Sequence, residues 1–267
     1  MMSRSLAINR SATAAIGVTL LAGVILSGSP VYADRDDDRN VCSEVPGYAK
    51  LKAALVSAQG ESNGGFGLHM WGSIVNRDGI VCAVAFTGND RGDQWPGSRV
   101  ISAQKANTAN SFSLPHLALS TANLWAAVQP GGSLFGLQES NPVATDAAYQ
   151  GPSTRFGTSQ DPLVGNKVGG VNVFGGGLAL YNAAGKLVGG VGVSGDTSCA
   201  DHNIAWRTRH DLNMDFVPGG VGAQKDNINY QGLVANPSLA YDFSHPICKI
   251  AGADGVSAIS AALPPTR

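Results

Sequence analysis

Five histidines, four cysteines and a few short strings with serine or aspartate are the parts of this 267-residue chain whose residue types could carry chemistry. His69, His116, His202, His210 and His245 are scattered. His202 and His210 stand eight apart, not at the i, i+4 spacing of a shared metal face, and no His-Glu-x-x-His string occurs. Nor do any two of Cys42, Cys82, Cys199 and Cys248 have a Cys-x-x-Cys spacing, so a zinc site is not expected. Gly192-Val-Ser-Gly-Asp196 resembles a nucleophile elbow until its last position, where aspartate replaces the required glycine. Asp196-Thr-Ser198 has no second copy that would complete a carboxylate dyad. His116 stands out by position. It follows Pro115, which stops the preceding helical run, so its imidazole is presented beside an apolar segment and could serve as an iron donor.

Hydrophobic spacing predicts the elements that would hold these residues. Leu51, Leu55 and Ala58 fall at i, i+4, i+7 and predict a first helix over residues 48–58. Two β-rich runs around Asn76-Arg-Asp-Gly79 predict a hairpin. Residues 98–112 return to helical spacing, with Ile101, Lys105, Thr108 and Phe112 on one face, where a lysine snorkels or pairs with a carboxylate. A short helix is expected over 117–128, then a long loop over 133–169 rich in Gly, Pro, Ser, Asn and Gln. A second hairpin follows over 175–194, turning at Asn182-Ala-Ala-Gly185, and then a helix over 199–212 capped by Asp196 or Ser198. The second hairpin carries many glycines. Inside strands they mark a close approach by a helix, another subunit or a ligand. Helices bracketing two hairpins make an α+β domain with an antiparallel sheet.

The chain opens with Arg4 and Arg10, an apolar run from Ala15 to Leu26 and a small-residue site ending at Ala33, the pattern of a signal peptide over residues 1–33. The run is shorter than the roughly 20 residues a membrane span needs. Export to the periplasm or the medium is therefore expected, with cleavage after Ala33 and a polar tail over 34–47. An even cysteine count in an oxidising compartment favours disulfides, and proximity in sequence favours Cys42–Cys82 and Cys199–Cys248. A formal charge of −1 over the whole chain gives no steering toward nucleic acid.

Lys105-Ala-Asn-Thr-Ala-Asn-Ser-Phe112 resembles the K-A-x-T-A-x-x-F helix of the GlcG/HbpS family of haem-binding proteins. Gly185-Lys-Leu-Val-Gly-Gly-Val-Gly-Val-Ser-Gly195 is similar to that family's second motif, with Asp201 where a helix-borne acid is usual. The similarity spans residues 48–212, with the insertion at about 133–169 and a C-terminal extension over 213–267. It implies a profilin-like α+β domain, homo-oligomers, and an exported protein that senses, stores or delivers haem, with a membrane sensor as a possible partner. In that reading His116 is the axial ligand, Phe112, Leu117 and Trp125 give apolar contact, and Lys105 or Arg99 meets a propionate. The chain has no Cys-x-x-Cys-His string, so attachment would be non-covalent. The competing readings are an enzyme acting on a small organic molecule, with the 133–169 loop as a lid and His202 and Asp201 as acid and base, and a structural oligomer with a degenerate pocket.

Overall fold

A computed structural model of the chain describes residues 41–222, 224–231, 233, 242–249 and 255–267. The signal-peptide reading of 1–33 and the charge run of 34–40 lie outside the described residues.

The order is α1 (Tyr48–Gln59), β1 (Trp71–Asn76), β2 (Val81–Phe86), α2 (Ser98–Phe112), β3 (Gly177–Tyr181), β4 (Leu187–Ser194), α3 (Ser198–Asp211) and α4 (Val256–Ala261). Both predicted hairpins form and join edge to edge, giving one antiparallel sheet in the order β2-β1-β4-β3. Strand alternation sends Val191 and Val193 to one face, where Leu51 and Leu55 of α1 and Ile204 and Trp206 of α3 build the larger core. Trp71, Val75 and Val84 on the other face meet Val100, Ala103 and Ala106 of α2.

The strand glycines are explained on that second face. A Cβ added at Gly190 would run into the Ala106 carbonyl, one at Gly177 into the Lys105 carbonyl, and one at Gly192 into the Ser102 carbonyl, all backbone atoms of α2. The helix lies on the sheet at a distance no side chain permits. Ser73 and Ser102 bridge the same interface by a 2.7 Å hydroxyl pair.

Two sequence expectations are corrected. No helix spans 117–128: Leu117 pairs with Leu114 and Ala118 with Gly220, so their backbone groups are committed before the chain restarts at Thr121. There Ser120 and Asn123 form a capping box and two 3-10 turns follow, Thr121–Leu124 and Ala126–Val128. The cap of α3 is Thr197, whose hydroxyl accepts from the Ala200 N–H. Asp196 and Ser198 do not cap, because the Asp196 carboxylate accepts from the Phe66 and Leu68 N–H groups and the Ser198 hydroxyl is bonded to Gly175 and His245.

The long 133–169 segment is fastened down. Asp161 is buried and clasps Arg99 of α2 with both oxygens, while Ala148, Leu163 and Val168 join the core against α2. At its end Val81 receives and returns backbone bonds with Asn166 and Gly165. On β3, Tyr181 does the same with Met214 and Phe216, the Gly177 N–H donates to Thr121, and the Ala179 carbonyl accepts from Arg209. Disulfides join Cys42 to Cys82 and Cys199 to Cys248, with Cα atoms 5.6 and 6.1 Å apart. The first ties the segment before α1 to β2. The second ties α3 to the C-terminal extension.

Candidate functional site

Lys105 sits in the middle of α2, where close contact with the sheet leaves it only 1% exposed. A buried ammonium needs a partner, and α3 supplies one: Lys105 Nζ donates to Asp201 at 2.7 Å and to the Val193 carbonyl at 3.2 Å. The other Asp201 oxygen accepts from the Gly195 and Asp196 N–H groups, so one carboxylate orders both the end of β4 and the start of α3. Burial pushes Asp201 up to about 6, against the pull of Lys105 and of the Asp196 N–H.

Above this pair opens a cavity of about 320 Å³ lined by Ser98, Ile101, Lys105, Ser194, Asp196, Ser198 and Asp201, with Trp95 and Phe174 at its rim. Trp95 and Phe174 are 54% and 48% exposed. The volume is at the lower end of the roughly 300–1,000 Å³ of small-molecule sites. The cavity combines an apolar mouth with a floor of hydroxyl, carboxylate and ammonium groups, which suits a flat ligand with a polar edge.

The residues singled out from sequence fall into separate places. Phe112, Leu117 and Trp125 do come together, packed on Leu119, Leu124 and Val173, and His116 is exposed on the adjoining turn. Lys105 and Arg99 are not with them. Seven residues of helix separate Lys105 from Phe112, about 10 Å at 1.5 Å per residue, and Arg99 is farther still. Arg99 is held by Asp161 and the Ala148 carbonyl and covered by the Phe156 ring. Both cations are already engaged by buried carboxylates, Arg99 by Asp161 and Lys105 by Asp201. His202, the other acid-base candidate, is fully buried, bonded to Asn227 and the Ile228 N–H, and does not line the cavity.

His69, one of the five histidines of the sequence and an alternative donor to His116, is exposed and does not itself line the cavity. Its carbonyl lies against Gly195, between the cavity residues Ser194 and Asp196. Its ring is close enough to Asp93 to help hold that carboxylate low, behind the larger effect of the Asp90 and Asn89 N–H groups. Nδ1 is 3.0 Å from the Thr87 hydroxyl, which leaves Nε2 directed elsewhere.

Burial also pushes His202 down to about 4, with the Asn227 hydrogen bond and the Asp226 carboxylate opposing, and does the same to His245 against the Pro246 hydrogen bond. Both values lie below the ordinary 6.5, so between those pH values the native state binds fewer protons than the unfolded chain. The stability these groups contribute is complete above pH 6.5 and lost as the pH falls through 4. Asp201 acts in the opposite sense: its value is raised, so its contribution is present below 3.8 and lost as the pH rises through 6. Two histidines outweigh one aspartate, so urea midpoints are expected to fall between pH 6.5 and 4. The fall should be shallower in His202→Gln, and a midpoint independent of pH over that range would contradict the assignment.

The family described as haem degrading protein, HbpS-like, matches over residues 49–209. No curated protein matches the chain. Among solved structures, the PduOC complex with haem is 24% identical, covering 62% of this chain and 91% of that one with a TM-score of 0.43. The ORFY protein of Klebsiella pneumoniae is 24% identical over 61% of this chain and 86% of that one, TM-score 0.42, and HbpS is 19% identical over 61% and 84%, TM-score 0.39. The two hairpins, the α2 helix with its Lys105–Asp201 pair and the start of α3 all fall within the matched residues, and the chain belongs to the HbpS-like family.

Proposed function

We propose that this chain is an exported protein that binds haem non-covalently at the mouth of the α2–α3 cavity and holds it for storage or delivery. The observation that carries this is the pair of half-exposed rings, Trp95 and Phe174, lining one cavity together with Ser98, Ser194 and the Lys105–Asp201 pair. Haem is the compound in the family's description. Its faces suit Trp95, Phe174 and Ile101, and its polar edge suits Ser98 and Ser194. His69 is the iron donor in this reading: Nδ1 lies 3.0 Å from the Thr87 hydroxyl, and Nε2 is the nitrogen left for the metal. The cavity takes part of a tetrapyrrole and leaves the rest open, which favours transfer over permanent retention.

A second reading keeps His116 as the donor, on the exposed turn next to the Phe112–Leu117–Trp125 cluster and to Leu114, which is 55% exposed. Haemin titration followed at the Soret band separates the two. The parent should show a saturable shift. His69→Ala and the Trp95→Ala/Phe174→Ala double variant should each weaken binding by about tenfold or more, while His116→Ala leaves it unchanged. Loss confined to His116→Ala moves the site to the turn, and no saturable shift in the parent removes haem binding altogether.

A further inference from the structure

Ser198 is the first residue of α3 and lines the cavity, and its hydroxyl lies 2.7 Å from His245 Nε2. The other imidazole nitrogen, Nδ1, is 2.7 Å from the Pro246 carbonyl, which can only accept, so Nδ1 carries the hydrogen and the Nε2 lone pair faces Ser198. Ser198 therefore donates to His245. It also accepts from the Gly175 N–H at 2.7 Å, which leaves one lone pair of Oγ uncommitted.

We propose that Ser198 and His245 are a nucleophile and base that take the acyl group from a small ester with an apolar acyl chain. The arrangement has the parts such chemistry requires: a hydroxyl bonded to an imidazole, and a third group, the Pro246 carbonyl, fixing the ring and its tautomer. Trp125 backs the imidazole, its ring centre 5.9 Å away. The Cys199–Cys248 disulfide joins the residue next to Ser198 to one three beyond His245, so it clamps together two segments 47 residues apart. Ile101, Trp95 and Phe174 give the acyl chain an apolar wall.

In the acylation step Ser198 Oγ bonds to the carbonyl carbon as its proton passes to His245 Nε2. The ester C–O bond then breaks, and the alcohol departs with that proton. Water adds to the acyl-serine in the same way, giving its proton to Nε2 and releasing the acid, and the proton returns to Oγ. Burial, working against the Pro246 hydrogen bond, lowers His245 to about 4. The imidazole is thus neutral but a weak base, so capture at Ser198 is the appropriate measurement in place of turnover.

The test is made on the intact, oxidised protein without haemin, so it stands apart from the haem reading. The protein is treated with an alkyl fluorophosphonate, digested, and mapped by mass spectrometry, and p-nitrophenyl butyrate is used to follow the release of nitrophenol. The expected result is one adduct, on Ser198, absent from Ser198→Ala. His245→Gln should form it about 100-fold more slowly, and reduction of Cys199–Cys248 should slow it as well. The parent decides the matter even where His245→Gln does not fold. No adduct on Ser198, an adduct on Ser194 in its place, or unchanged labelling in a folded His245→Gln would overturn the proposal.

Discussion

Lys105→Met alone is expected to cost about 3–5 kcal/mol, the range for removing one partner of a buried ion pair. The reason lies in what stays behind. Asp201 is as buried as Lys105, and without the ammonium it keeps only the two backbone N–H donors of Gly195 and Asp196. Against a total of about 5–15 kcal/mol for a domain, such a loss leaves little margin. Lys105→Met combined with Asp201→Asn should recover much of it, since the amide oxygen still accepts from both N–H groups and no unpaired charge remains. Urea unfolding of the two single variants and the double one gives the coupling directly. Additive losses would mean that Lys105 and Asp201 do not act as a unit, and that the family-like lysine on α2 serves some purpose other than holding α3.

Gly192→Ala should be more damaging than its one added methyl suggests. The Cβ would lie deep inside the Ser102 carbonyl and 2.5 Å from the Ala106 nitrogen. Both are backbone atoms in the middle of a 15-residue helix, so no rotamer change can relieve the contact. Ordinary overpacking costs about 1–3 kcal/mol. Here α2 must leave the sheet, carrying with it the Ser73–Ser102 bond and the Lys105 contact, so a loss of about 4 kcal/mol or more is expected. Gly97→Ala is the control. That position has open space around a Cβ and right-handed helical backbone at φ −63°, and its midpoint should move by no more than about 0.5 kcal/mol. Equal, small effects at both positions would show that α2 is not held against the strand glycines.

Much of this architecture could be read from local pattern because its determinants are local. The amphipathic spacing of 98–112 marks a helix with those same ends, and the turns at Asn76–Gly79 and Asn182–Gly185 mark the two hairpins. The cysteine pairs were also legible, because neighbours in sequence proved to be neighbours in space. What could not be read depends on distant contacts. Asp196, Thr197 and Ser198 are all good caps by type, and only the engagement of Asp196 with Phe66 and Leu68 and of Ser198 with Gly175 and His245 leaves the role to Thr197. His245 shows no pattern along the chain, since its meaning comes from Ser198. Lys105 could be seen to need a carboxylate. That the carboxylate would be Asp201, on the first turn of α3, follows only from the packing of α2 and α3 at the sheet.

The two outer strands offer little to another chain. Tyr181, Gly177 and Ala179 on β3 already bond to Met214, Phe216, Thr121 and Arg209, and on β2 Val81 is held by Gly165 and Asn166 and the Phe86 carbonyl by Lys52. An uncovered border strand is a template onto which a further strand can be zipped, the route by which β-proteins polymerise or capture extended peptides. In this protein the 133–169 segment and the residues after α3 act as selvedges that finish the cloth. Assembly by strand addition at these borders is therefore disfavoured, and the purified protein should give no ribbons that lengthen with concentration.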